Sequence, residues 1–145
     1  MKRGLGTQLS FALYGAASRM VRMHKPFLDP LGLTFPQYLV TLDLLGHAPT
    51  TVGTLGARLG MDTGTITPLL KRLEAAGIVT RTRDTQDERR VLIDLTAHGR
   101  ALQPEVETVT DKIKSACQMD DAAMESLSQI LEGLAREPAN GKDQS

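Results

Sequence analysis

Thr63, Gly64, Thr65, Thr67 and Pro68 open a helix-patterned segment, and Lys71 and Arg72 follow within two turns. Short hydroxyl side chains early in a helix can reach the edges of stacked bases, and flanking cations meet phosphate. Gly64, lacking a Cβ, lets the backbone itself approach closely. Taken alone, this segment reads equally well as an ordinary amphipathic surface helix. A second group follows at once, with Arg81, Arg83, Arg89 and Arg90 on or between two short β-patterned runs. Guanidinium groups at an exposed hairpin tip suit the narrow, electronegative minor groove of duplex DNA. Asp84, Asp87 and Glu88 share the segment and favour a solvated turn. The expected compromise is that Asp87 pairs with one of these arginines and stiffens the tip while Arg89 faces outward. Helix and hairpin together point to nucleic-acid recognition.

The elements that must position these residues follow from apolar spacing. Leu9, Leu13, Ala16 (or Ala17), Met20 and Met23 lie at helical spacing over about 6–24, before Pro26 and the turn-like Asp29-Pro30-Leu31-Gly32 interrupt. Thr34 is a candidate N-cap for a second helix, with Pro36 in its first turn and Gly46 at its end. Thr50 or Thr51 caps a short helix ending at Leu59 with Val52, Leu55 and Leu59 inward. Asp62 (or Thr63) caps a longer one carrying Ile66, Leu69, Leu70, Leu73 and Ala76, closed by Gly77. Two such helices joined through Gly60-Met61 have the form of a helix-turn-helix. The period then changes: Ile78–Arg83 and Val91–Leu95 predict a two-stranded hairpin with a polar tip, a wing. Thr96 is expected to cap one long helix reaching about Gln118, kinked at Pro104. Asp120 or Asp121 starts a last helix with Met124, Leu127, Ile130 (or Leu131) and Leu134 on one face. From Glu137 the tail has little to pack.

At 145 residues the chain has room for one domain with a sizeable core. Hydrophobic residues make up 41% but aromatics only 3%, so the core must be aliphatic, which favours helices. Lysine plus arginine equals aspartate plus glutamate at 17 each, so net charge names no partner. Its distribution does more: bases alone occur up to Lys25 and acids dominate after Glu105, so a neutral total can hide a basic face. No run is long and apolar enough for a membrane span and no signal peptide is visible. The lone Cys117 cannot form an internal disulfide, and a cytoplasmic location is expected. His24, His47 and His98 are too dispersed for a metal site, and no cofactor motif appears. Ser10, His24 and Asp29 have the residue types of a hydrolytic triad without its supporting motifs, so an enzyme is not expected.

The fold expected is mostly α with a small β-hairpin wing. It is a winged helix-turn-helix over about 34–96, with dimerisation helices at about 6–30 and 97–136 and a tail at 137–145. Long apolar faces at both ends of so small a chain are best buried against a second copy. Two copies also set two recognition helices one DNA turn apart, matching a palindromic operator. The competing expectation is a winged-helix dimer that acts as a protein-interaction module without specific DNA binding.

This order of elements, with the run Asp87-Glu88-Arg89-Arg90-Val91-Leu92-Ile93-Asp94-Leu95-Thr96, resembles the MarR family over nearly the whole chain. Leu9-Ser10-Phe11-Ala12-Leu13-Tyr14, Lys25-Pro26, Pro36-Gln37-Tyr38-Leu39 and Gly64–Glu74 are similar to the organic-hydroperoxide-sensing (OhrR-like) branch. The resemblance implies a dimeric repressor of stress or detoxification genes that leaves DNA when an oxidant or small aromatic inducer acts. It also implies a sensor or ligand pocket near Ser10, Tyr14, His24 and Phe35. The branch carries its peroxide-reactive cysteine where Ser10 stands, and sulfur-binding tyrosines where His24 and Phe35 stand; Tyr14 is retained. A hydroxyl cannot become a sulfenic acid, so the usual sensing chemistry is absent. Cys117 falls near the place of a second, resolving cysteine, or is simply a small buried hydrophobe.

Overall fold

A computed structural model of the chain describes residues 4–136, with backbone alone for residues 5–7. Its elements are α1 (Leu5–Leu28), a 3-10 turn (Asp29–Leu31), α2 (Phe35–His47), β1 (Thr50–Thr51), α3 (Val52–Leu59), α4 (Thr63–Ala75), β2 (Val79–Arg83), β3 (Val91–Leu95), α5 (Ala97–Ala101), α6 (Gln103–Cys117) and α7 (Asp121–Ala135). The chain divides into two compact units, one ending at Ile113 and one beginning at Lys114.

Capping side chains set the helix starts of the first unit. Thr34 accepts from the Gln37 amide while the Gln37 side chain accepts from the Thr34 amide, a reciprocal capping box. Thr51, Asp62 and Thr96 take the orphan amides of Thr54, Thr65 and Gly99. Helix α4 ends in a Schellman motif: the Ile78 amide returns to the Leu73 carbonyl, and that of Gly77 to Glu74. The turn needs Gly77 at φ +76, a conformation a Cβ disfavours. Val40 and Leu44 of α2, Leu55 of α3, Ile66, Leu70 and Leu73 of α4, and Ile78, Val79, Ile93 and Leu95 of the hairpin form one core. The antiparallel sheet has the order β1-β3-β2, with Arg81 and Thr50 both opposite Ile93.

In the second unit, Asp120 caps α7 through the Ala123 amide, and Lys114 pairs with Asp121. Leu127, Ile130, Leu131 and Leu134 of α7 are exposed in the single chain.

Five expectations are corrected. Helix α1 does not stop before Pro26 but runs through it to Leu28. Proline removes one helical hydrogen bond, and burial of Leu28 (2% exposed) with half-buried Phe27 offsets the loss. Helix α2 passes Gly46 and ends at His47. A third strand, β1, joins the predicted hairpin; at two residues it is too short to show an alternating pattern. The single kinked helix after Thr96 is two helices broken at Leu102. Pro104 thereby sits in the first turn of α6, where its missing N–H costs nothing. Ala76 is not on the buried face but is exposed as the C-cap of α4. The tail from Glu137 lies outside the described residues.

The helix-turn-helix corner rests on Gly56. A Cβ there would lie 2.8 Å from the Met61 carbonyl oxygen, whose residue donates its amide to the Gly56 carbonyl. Gly56→Ala must therefore push α4 off α3, and a loss of about 1–3 kcal/mol is expected in denaturant unfolding. At Gly64 the nearest atom to an added Cβ is Asp62 Oδ1 at 3.5 Å, ordinary contact. Gly64→Ala should unfold at the parent midpoint or above it; equal losses at both positions would refute this account of the corner.

Candidate nucleic-acid interface

Burial of Ile66, Leu69, Leu70 and Leu73 decides which side of α4 faces out. At about 100° per residue the opposite side carries Gly64, Pro68 and Lys71, all exposed. Thr65 and Arg72 flank this stripe on one side. Thr67, half-buried, flanks it on the other, towards the wing. A cleft of about 370 Å³ separates α4 from the wing. Its walls include Thr63 and Thr67, the start of α3 (Thr51, Val52, Gly53), and Arg81, Arg89 and Arg90. Of the residues singled out in the sequence, Thr63, Thr67, Arg81, Arg89 and Arg90 thus share this cleft, while Gly64, Thr65, Pro68, Lys71, Arg72 and Arg83 lie outside its lining. The start of α3 was not among the residues singled out, because nothing in its own spacing shows that it will abut the hairpin.

The four arginines occupy different situations. Arg81 donates through Nε to Glu74 Oε1 of α4 at 3.3 Å. Arg83 donates to the Glu88 carbonyl at 2.8 Å and ties one side of the wing to the other. Arg89 rests its Nε on Asp87 Oδ1 at 3.2 Å, yet its side chain is 92% exposed. Arg90 is exposed, with no side-chain partner among the described residues. The acids serve the turn: Asp84 accepts from the Gln86 amide, and Asp87 accepts from both the amide and the Nε of Arg89. The amide of Asp84 and the carbonyl of Arg90 close the tip at 2.9 Å. The two aspartates are thus spent on the turn, while Arg89, Arg90 and the acid Glu88 are exposed on the wing.

Behind the surface, Asp43 of α2 receives three hydrogen bonds of 2.8–3.1 Å from Arg58 of α3. That hydrogen-bonded pairing raises the arginine's pKa above its ordinary value. The pair was not anticipated, since 15 residues separate its members.

The second predicted group is only partly brought together. His24 is 5% exposed and its Nδ1 lies 2.7 Å from the Met20 carbonyl; a carbonyl can only accept, so Nδ1 carries the proton. Its ring packs edge-on against Phe35 at 4.8 Å and tilted against Tyr38 at 5.2 Å. Thr110 donates to the Val106 carbonyl and so accepts from the buried Tyr38 hydroxyl at 2.7 Å. Tyr38 was absent from the predicted group although it completes the cluster. Ser10 and Tyr14 are not part of it. Fourteen residues of helix put Ser10 about 21 Å from His24, and Tyr14 is 77% exposed. The expected pocket is therefore not assembled within one chain, and Ser10, His24 and Asp29 do not form a triad. Cys117 is a free, half-buried thiol at the end of α6. Among the described residues no cluster fit to hold a metal occurs, and no helix is long and apolar enough to cross a membrane.

Comparison with known proteins agrees with this geometry. The organic hydroperoxide resistance transcriptional regulator of Bacillus subtilis is 39% identical over 88% of this chain and 86% of its own. The structure of reduced AbfR bound to DNA superposes with a TM-score of 0.73 at 35% identity, covering 91% of this chain and 96% of that one. A MarR-family transcriptional regulator from Rhodococcus has a TM-score of 0.80 at 24% identity over 92% and 96% of the two chains, a likeness of fold. The alternative of an interaction module finds no support among these relatives. The model of the transcriptional regulator family SarA/Rot matches residues 22–106. By that match and these relatives, the chain belongs to the SarA/Rot transcriptional regulators.

Proposed function

We propose that this regulator is a cytoplasmic, non-enzymatic repressor that binds a palindromic operator as a homodimer. Residues 34–96 form its DNA-binding part, and 6–30 and 97–136 its dimerisation helices. The observation that carries the reading is the placement of α4's outward stripe beside an arginine-bearing wing whose aspartates are consumed internally. Thr63, Gly64, Thr65, Thr67 and Pro68 face bases in the major groove, Lys71 and Arg72 face phosphate, and Arg89 with Arg90 enters the flanking minor groove. The exposed side chains of Leu9, Tyr14 and Val21 on α1, and of Leu127, Ile130 and Leu134 on α7, supply apolar area for a second copy. The relative from Bacillus subtilis is named for organic hydroperoxide resistance, which supports stress genes as the targets of this proposal.

The test is a titration of a labelled promoter fragment at two salt concentrations. Arg89→Ala should weaken specific binding by about 1–3 kcal/mol with the dimer still folded. Unchanged affinity at physiological salt would remove the wing from the interface. Thr65→Ala and Thr67→Ala should mainly relax sequence preference, whereas Lys71→Ala should weaken all duplexes alike and flatten the salt dependence. Equal losses on specific and random DNA for all three would contradict this division.

With serine at position 10, organic hydroperoxide has no thiolate to oxidise there. The chain should stay on DNA at peroxide concentrations that oxidise a reactive cysteine. Ser10→Cys should restore a response, slower for want of the tyrosines that His24 and Phe35 replace. Release of the unmodified chain that vanishes in Cys117→Ser would instead make Cys117 the sensor.

A further inference from the structure

We infer that Glu74 is a positioning residue: through its ion pair with Arg81 it holds the wing in place against α4, and Arg81 acts as a brace rather than as a phosphate contact. The inference rests on the DNA-binding reading above and refines it. Thr63, Thr67, Leu70 and Glu74 recur every three or four residues and so share one side of α4. The first three wall the cleft beside the wing, and Glu74 continues their line towards the helix end. Arg81 reaches that line from β2, its Nε 3.3 Å from Glu74 Oε1 and its side chain only 27% exposed, against 92% for Arg89.

Alternation along β2 puts Val79, Arg81 and Arg83 on one face of the strand. They are three successive attachments: Val79 is buried in the core, Arg81 holds α4, and Arg83 holds the opposite side of the wing at the Glu88 carbonyl. Of the three, Arg81 is the one whose side chain makes a polar bond to the helix that enters the groove. A partly exposed pair of this kind adds little to global stability, so its loss should appear in position more than in unfolding.

Charge alone predicts the opposite outcome. Glu74 is an acid beside a DNA-facing surface, and removing it should strengthen binding if its only effect were repulsion of phosphate. Glu74→Gln therefore separates the two roles by sign. The probes are a duplex that the parent chain selects from a random-sequence pool and a scrambled duplex of equal length. Glu74→Gln should weaken the selected duplex by about fivefold without weakening the scrambled one. The exchanged pair, Glu74→Arg with Arg81→Glu, should recover most of that loss. Arg81→Ala should weaken selected binding similarly and leave its salt slope at the parent value. Tighter binding by Glu74→Gln, or a slope lowered by about one phosphate contact in Arg81→Ala, would make Arg81 a direct contact and overturn the inference.

Amide exchange of the DNA-free chain supplies a reading independent of binding. Glu74→Gln should speed exchange in β2 and the wing while leaving the amides of α2 unchanged; unaltered exchange in β2 would also overturn the brace. If the parent binds neither duplex yet the exchange changes as expected, the DNA-binding reading fails and the brace stands.

Discussion

The reversal at Gly77 and Ile78 is the constraint on which the interface depends. There the chain leaves α4 and enters β2 through the tight turn at 76–78, because Gly77 takes the left-handed conformation and the Ile78 amide returns to the Leu73 carbonyl. The same two residues receive the far end of the hairpin: the amide of Thr96 donates to the Ile78 carbonyl and its hydroxyl to the Gly77 carbonyl. Gly99 closes over them so tightly that a Cβ would fall 2.3 Å from the Ile78 carbonyl oxygen. Recognition helix, wing and the start of α5 are thus tied to one point. With Leu73 and Ile78 both in the core, rotation there would expose apolar surface, which opposes it.

A chain with equal numbers of acids and bases still presents a cationic face, and the structure explains how. Four acids near the interface are committed to local bonds, with Glu88 of the wing exposed beside them: Asp62 caps α4, Asp84 and Asp87 shape the wing tip, and Glu74 holds Arg81. Asp43, further back, is committed to Arg58. Lys71, Arg72, Arg89 and Arg90 are left facing solvent. What matters for steering an anionic polymer is this local excess and not the net charge.

Two apolar systems serve different ends. The aliphatic core of α2, α3, α4 and the hairpin is complete within one chain, with Val40, Leu44, Leu55, Leu73 and Ile93 fully buried. The stripe on α1 is not: Leu9 is exposed and Leu13, Met20 and Met23 are only half-buried. The His24–Phe35–Tyr38 cluster lies where α1 meets α2, anchored to α6 through Thr110. A change in the placement of α1 would be felt there first, since aromatic packing is sensitive to small shifts.

Local chemistry was enough to read most elements in the sequence. Thr34, Thr51, Asp62 and Asp120 cap helices where caps were expected, and Thr96 caps one much shorter than expected, because capping is decided within three residues. The outward-facing side of α4 was legible from Ile66, Leu69, Leu70 and Leu73, and the pairing of Asp87 with a wing arginine from their closeness in sequence. Strand β1, the break at Leu102 and the run of α1 through Pro26 were not legible, since each depends on what a distant segment offers. Thr50 and Thr51 become a strand only because β3 lies alongside, and Pro26 is tolerated because Leu28 finds a core. Likewise, tertiary packing alone decided that Arg81 meets Glu74, that Arg58 meets Asp43, and that Tyr38 joins His24 and Phe35. Side-chain type sets what a residue can bond to, but which partner comes within 3 Å is settled by the packing of whole elements, which local sequence does not encode.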